Sequence, residues 1–217
     1  MNSQTAVMFG IPLGMVDVPK EICDQLKPLK GITQFYQKPP KSKREYQERL
    51  NDINFNLLDK HPKLKQDITD IFAAWVNESH GYTNQRWAMT TGWITNNPEG
   101  AAMARHRHFN CAFTGVLYFD KVQENQGQLV IESPIRPSDF LPTQRSHKFT
   151  VFNSPMFNAP LYEGLMLLFP SNLFHSYQAF KKVKGAPSRR SFACNFVPIG
   201  KYGTSDSALD TNWLGYT

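Results

Sequence analysis

The chain of 217 residues is 41% hydrophobic and 19% charged, with 24 Lys and Arg against 18 Asp and Glu for a net charge of +6. That apolar content excludes a wholly disordered or fibrous chain, and the length makes one domain, spanning 1–217, the default. The charge permits nucleic acid or an acidic small molecule as partner and argues for neither.

Residues 6–9 predict a short strand. Pro19 fits the first turn of a helix, and Ile22, Leu26 and Leu29 then recur at i, i+4, i+7. Residues 37–48, QKPPKSKREYQE, predict a solvated basic loop. The clearest helix opens at His61-Pro62, with Leu64, Ile68, Ile71, Phe72 and Trp75 on one stripe and Lys and Asp on the other face, and ends at Gly81. Its aromatic stripe reads as core. His61 reads as a helix cap and His80 as a C-terminal residue favoured by the helix dipole.

Beyond Gly81 the pattern changes. Short runs of β-branched and aromatic residues, separated by Gly, Pro and Asn, predict strands at 87–96, 113–119, 128–132, 148–152, 165–169 and 190–198. Many short strands without helices between them mean a sandwich or barrel. The expected fold is α+β: an N-terminal helical layer over 1–85 packed on a jelly roll over 86–200. The tail, 201–217, is expected to be either a lid or a disordered end.

Three scattered cysteines, Cys23, Cys111 and Cys194, form no C-x-x-C, which excludes a disulfide framework and a structural zinc knot and favours the cytoplasm. Cys111 and Cys194 lack a basic partner in sequence and read as inert. No signal peptide is expected, and the longest apolar run, 165–169, is far short of the about 18–20 residues of a membrane span, so no membrane partner is expected.

The candidate chemistry lies in the histidines and one arginine. In His106-Arg107-His108, residues i and i+2 of an extended backbone point the same way, so two imidazoles can chelate one metal. His175 leaves the end of the apolar run 165–169, placed to be a third ligand. Arg189 and Ser191 open a further apolar strand and share one face, with Arg190 on the other. A guanidinium fork beside a hydroxyl suits a carboxylate, through paired charge-assisted hydrogen bonds. His147 and the group Lys181, Lys182 and Lys184 read as surface features between strands.

Several blocks fall in one order: Gly92-Trp93-Ile94, His106-Arg107-His108, Thr114-Gly115-Val116-Leu117-Tyr118, Gly164 through Phe169-Pro170-Ser171 to His175, then Arg189-Arg190-Ser191 leading to Asn195-Phe196. Over residues 90–197 this pattern resembles the iron(II)- and 2-oxoglutarate-dependent oxygenases, more closely their bacterial and phage branch. The resemblance implies a double-stranded β-helix core of jelly-roll or cupin type. It implies Fe(II) held by His106, His108 and His175, and the far carboxylate of 2-oxoglutarate held by Arg189 and Ser191. It puts the Tyr118 hydroxyl on that carboxylate and makes Asn195 a cofactor contact or a support behind the ligands. The implied activity is a dioxygenase that uses O2 to hydroxylate a substrate, either a small molecule or a protein residue. Trp93 and Asn97, on the strand before the metal motif, are the substrate candidates. The first 85 residues match only loosely, and domains of this size often form homodimers.

The superfamily's usual ligands are two histidines and one carboxylate. Here H-x-H stands where H-x-D is usual, and three neutral imidazoles would leave iron(II) its full charge. Two other ligand sets stay open in the sequence: His108 with Asn110 and His175, or a carboxylate such as Asp120 or Glu132 completing the set. Two rival functions stay open as well. One is a metal-binding jelly-roll module without turnover. The other is a three-histidine cupin enzyme that does not use 2-oxoglutarate, against which the Arg189 and Ser191 cradle argues.

Overall fold

Five consecutive apolar residues from Leu165 to Phe169 are buried on both faces, and the fold is built around the strand they form. The structure is a computed structural model that describes residues 10–33, 42–44, 54–123, 126–134, 150, 154–177 and 188–216. In chain order its elements are β1 (Gly14–Asp17), α1 (Lys20–Leu26), β2 (Ile32–Thr33), α2 (Pro62–His80), β3 (Arg86–Asn97), β4 (Met103–His106), β5 (Phe113–Leu117), β6 (Leu129–Glu132), β7 (Met156–Asn158), β8 (Leu165–Pro170), β9 (His175–Tyr177), β10 (Arg189–Ile199), β11 (Lys201–Tyr202) and β12 (Leu209–Asp210). The expected runs at 6–9 and 148–152, the loop at 37–48, His147 and Lys181, Lys182 and Lys184 lie outside the described residues, save for 42–44 and 150.

The larger sheet has the order β1-β8-β5-β10-β3-β2, and the smaller β4-β9-β6-β7. Among the described strands of these two sheets every pairing is antiparallel except β2 with β3. The period-2 alternation of the long strands separates two cores. Met166 and Leu168 of β8, with Phe192, Cys194 and Phe196 of β10, pack on the helical side. Leu165, Leu167 and Phe169 instead meet Leu129 and Ile131 of the smaller sheet. The result is the expected α+β arrangement, with a helical layer on the outer face of a two-sheet sandwich.

Helix α2 supplies that layer. Leu64, Ile68, Phe72 and Val76, at i, i+4, i+8 and i+12, are buried, and Ile71 and Trp75 flank them. Phe72 stacks on Phe196 at 3.9 Å between centroids and meets Trp87 edge-on at 5.2 Å. Gly81 ends the helix at φ 69°, a left-handed conformation that an L side chain resists. His61 does occupy the N-cap position, but its side chain makes no capping hydrogen bond, so only its backbone does the work expected of it. His80 does more than face a dipole: its ring stacks on Tyr82 and meets Phe113 edge-on.

Gly115 is required by its neighbours across the sheet. A Cβ there would stand 2.7 Å from Met166 Cε and 2.9 Å from Cys194 Sγ. Over its described residues the tail is not a disordered end. β11 pairs with β12, and Thr211 Oγ1 donates to the carbonyl of Pro198 at 2.7 Å, tying the tail to the end of β10. No described helix is long and apolar enough to cross a membrane.

Candidate functional site

Strands β4 and β9 pair with His106 directly opposite His175. His108 lies just past β4, where its N–H donates to the carbonyl of Ser171. The ring centroids are 4.3 Å apart for His106 and His175, 5.1 Å for His108 and His175, and 5.3 Å for His106 and His108. One nitrogen of each ring lies within 4.8 Å of one nitrogen of the other two. His175 is buried and the other two are half-buried.

The protonation of each ring follows from its second contact. Nδ1 of His106 faces the carbonyl of Ala104 at 2.9 Å, Nδ1 of His175 the carbonyl of Leu173 at 3.0 Å, and Nδ1 of His108 the amide oxygen of Asn195 at 2.7 Å. A carbonyl oxygen can only accept, so Nδ1 carries the proton and Nε2 keeps its lone pair. This is the arrangement of metal-binding histidines, whose outer ring N–H is held by an oxygen. The Asn195 amide is itself oriented, since its Nδ2 donates to Thr91 Oγ1 at 2.8 Å and its oxygen also accepts from Thr114 Oγ1 at 3.0 Å. Burial, then the neighbouring His106 ring, pushes His175 down to about 3, and burial also lowers His108. Both rings are neutral near pH 7.

The other ligand sets open in the sequence are not assembled. Asn110 is exposed at a turn with φ 61°. Asp120 accepts from Arg190 at 3.3 Å, and Glu132 accepts from Arg105 at 2.6 Å. Among the described residues no carboxylate joins the three imidazoles.

The imidazoles line a cavity that continues between the sheets to Tyr118, Arg189 and Ser191. Alternation along β10 turns Arg189 and Ser191 inward, while Arg190 faces the N-terminal segment and donates to the carbonyls of Lys27 and Leu29. Arg189 is 1% exposed. Its Nη1 donates to the carbonyls of Gln126 and Gly127, its guanidinium lies 4.4 Å over the Tyr177 ring, and its buried Nε has no partner. No carboxylate pairs with it among the described residues. A buried cation with no counter-charge is costly, and an anionic ligand would relieve it. Tyr118 is equally buried, and burial raises its phenol pKa, so it stays a neutral hydroxyl.

Trp93 lines the cavity, with its ring 6.2 Å from that of His108. Two other candidates stand behind the wall. Asn195 braces His108, and Asn97, fully buried, accepts from the Tyr177 hydroxyl at 2.5 Å and donates to Thr95 Oγ1 at 3.3 Å. Thr95 Oγ1 is in turn 2.9 Å from Ser191 Oγ. Tyr177, Thr95 and Thr114 escaped the reading of the sequence. The signal for the first two was the period of 2, which sets Tyr177 on the face of His175 and Thr95 on the face of Trp93. Burial pushes the thiols of Cys111 and Cys194 up, as suits inert cysteines.

Residues 91–195 match the family model described as "Putative 2OG-Fe(II) oxygenase". No curated protein sequence matches the chain. Among solved structures, iron-bound HygX from Streptomyces hygroscopicus is similar over 87% of this chain and 82% of its own, with a TM-score of 0.54 at 11% identity. A prolyl-4-hydroxylase from Pseudomonas putida is similar over 86% of this chain and 92% of its own, with a TM-score of 0.48 at 12% identity. The likeness to HygX bears on the fold alone, which is the double-stranded β-helix. The stretch that carries the three histidines, Arg189 and Ser191 is thus similar to the 2OG-Fe(II) oxygenase family over residues 91–195.

Proposed function

We propose that the chain is an iron(II)- and 2-oxoglutarate-dependent dioxygenase that couples oxidative decarboxylation of 2-oxoglutarate to hydroxylation of a C–H bond in a small molecule or a protein residue. The observation that carries this reading is the buried guanidinium of Arg189, which has no carboxylate partner among the described residues and an unpartnered Nε, set in the same cavity as three imidazoles with free Nε2 lone pairs. His106, His108 and His175 would hold iron through Nε2. Arg189, Ser191 and the neutral Tyr118 hydroxyl would hold the far carboxylate of 2-oxoglutarate, all three as donors. Bound there, iron(II) and 2-oxoglutarate supply the oxidising chemistry: dioxygen is reduced, 2-oxoglutarate becomes succinate and carbon dioxide, and one oxygen atom enters the substrate. The protein binds, orients and excludes water. The inner end is sealed around Arg189 and Tyr118, while the half-buried His106 and Trp93 leave the outer end for substrate.

The test is an anaerobic titration of the metal-free protein with iron(II) and then 2-oxoglutarate, read by a metal-to-ligand charge-transfer band in the visible. A band is expected in the wild type. His175→Ala should abolish it, and Arg189→Ala should weaken 2-oxoglutarate by roughly a hundredfold, the loss of paired charge-assisted hydrogen bonds. Iron binding without a band would point instead to a three-histidine cupin that does not use 2-oxoglutarate. No iron binding would point to a module without this chemistry.

A further inference from the structure

Buried polar side chains flank Arg189 and Ser191, and the order of their hydrogen bonds gives the protons a direction. We infer that Tyr177, Asn97 and Thr95 are positioning residues that hold the Ser191 hydroxyl as a donor into the cavity, so that the inner end accepts a carboxylate and discriminates against neutral ends. The inference rests on the function proposed above.

The direction follows from what each atom can do. The Tyr177 hydroxyl lies 2.5 Å from Asn97 Oδ1, an atom that only accepts. Asn97 Nδ2, which only donates, faces Thr95 Oγ1 at 3.3 Å. Thr95 accepts there. Its remaining partner among the described residues is Ser191 Oγ at 2.9 Å, so its proton goes to Ser191. Ser191 accepts from Thr95 and is left with its own proton for the cavity it lines. Thr95, Asn97, Tyr177 and Ser191 are 4%, 0%, 5% and 6% exposed, so bulk water does not compete for these groups. The register of β10 on β3 sets Ser191 opposite Thr95 and Arg189 opposite Asn97, so the relay runs beside the guanidinium on the same face of the sheet, where Thr95 and Tyr177 also line the cavity.

A carboxylate only accepts hydrogen bonds. A reversed relay would turn a Ser191 lone pair on the anion, beside an arginine that needs it. Tyr177→Phe permits that reversal. The freed amide can turn its oxygen toward Thr95, Thr95 then donates backwards, and Ser191 follows. Thr95→Val removes the donor that orients Ser191 but imposes no reversal.

The experiment titrates the iron(II)-loaded full-length protein anaerobically with 2-oxoglutarate and, separately, with 2-oxobutyrate, which lacks the far carboxylate. Both are read by the charge-transfer band, and thermal melts check the fold of each variant. Tyr177→Phe is expected to raise the Kd for 2-oxoglutarate about tenfold, the loss of one hydrogen bond to a charged group, and to leave 2-oxobutyrate nearly unchanged. Thr95→Val, which removes the donor to Ser191, is expected to raise that Kd about threefold, and the double variant to bind no more weakly than Tyr177→Phe alone. A merely structural role would weaken both ligands and make the double variant worse than either single one. That result, or an unchanged Kd in Tyr177→Phe, would overturn the inference and leave the proposed function standing. A wild type that binds iron and gives no band would overturn both.

Discussion

Asn195 is a test of how far a side chain one step removed can govern the three imidazoles. Its oxygen holds Nδ1 of His108 at 2.7 Å and so keeps the Nε2 lone pair turned to the other two rings. Asn195→Ala is expected to lower metal affinity by about tenfold to a hundredfold, measured by competition with a chromophoric chelator, while leaving the melting temperature of the metal-free protein close to wild type. Unchanged affinity would remove Asn195 from the account of the site. His175 gives a second prediction at this scale. Its pKa is pushed to about 3 in the fold by burial and then by His106, below the unfolded value of about 6.5. The unfolded chain therefore binds the extra proton between those values. The stability owed to neutral His175 is fully present above about pH 6.5 and is lost as the pH falls toward 3, at up to about 1.4 kcal/mol per pH unit. Urea midpoints of the metal-free protein between pH 7 and pH 4 should show this slope, and His175→Gln should flatten it by one proton. Equal slopes would mean that His175 is not buried neutral.

Helix α2 does for the larger sheet what the smaller sheet does on the opposite face. Its contribution is concentrated in Phe72, fully buried against Phe196, Trp87 and Phe113. Phe72→Ala should cost about 3–5 kcal/mol in denaturant unfolding, since it opens a cavity that strands on one side and a helix on the other cannot close. A loss below about 1 kcal/mol would mean that this face collapses freely and that the helix is not an integral layer. The helix was legible because a stripe of 3.6-residue period over nineteen residues has no competing reading. The strands at 86–97, 113–117, 129–132, 165–170 and 189–199 were legible within one or two residues for a similar reason, their apolar content and alternation. The strands at 103–106, 156–158 and 175–177 were not. Each has three or four residues, and partner strands rather than composition hold it extended.

Over the whole molecule, the site unites parts of the chain that are far apart in sequence. The imidazoles come from β4, the turn after it and β9, and their approach exists only in the folded state. A metal that binds them therefore stabilises the fold by mass action, about 2.7 kcal/mol at a free concentration of a hundred times Kd. Iron(II) added without oxygen should raise the melting temperature of the wild type, a chelator should reverse the shift, and His175→Ala should show none. A shift of equal size in His175→Ala would place the metal elsewhere.

By itself the sequence determined the α+β class, the long helix, the five longer strands and the two blocks H-x-H and R-x-S, because these rest on local periodicity and on i, i+2 geometry. It could not decide which residues complete the ligand set, since Asn110, Asp120 and Glu132 were all near enough in sequence to qualify. Tertiary structure decided which of these groups meet. A turn exposes Asn110, Arg190 engages Asp120, Arg105 engages Glu132, and the pairing of β4 with β9 brings His175 opposite His106. It also placed Asn97, a substrate candidate in the sequence, against Tyr177 and Thr95, set Asn195 against His108 in the supporting one of its two expected places, and revealed Tyr177 and Thr95. Strand register and sheet packing set those positions, and both depend on contacts between residues scores of positions apart, which no local pattern encodes.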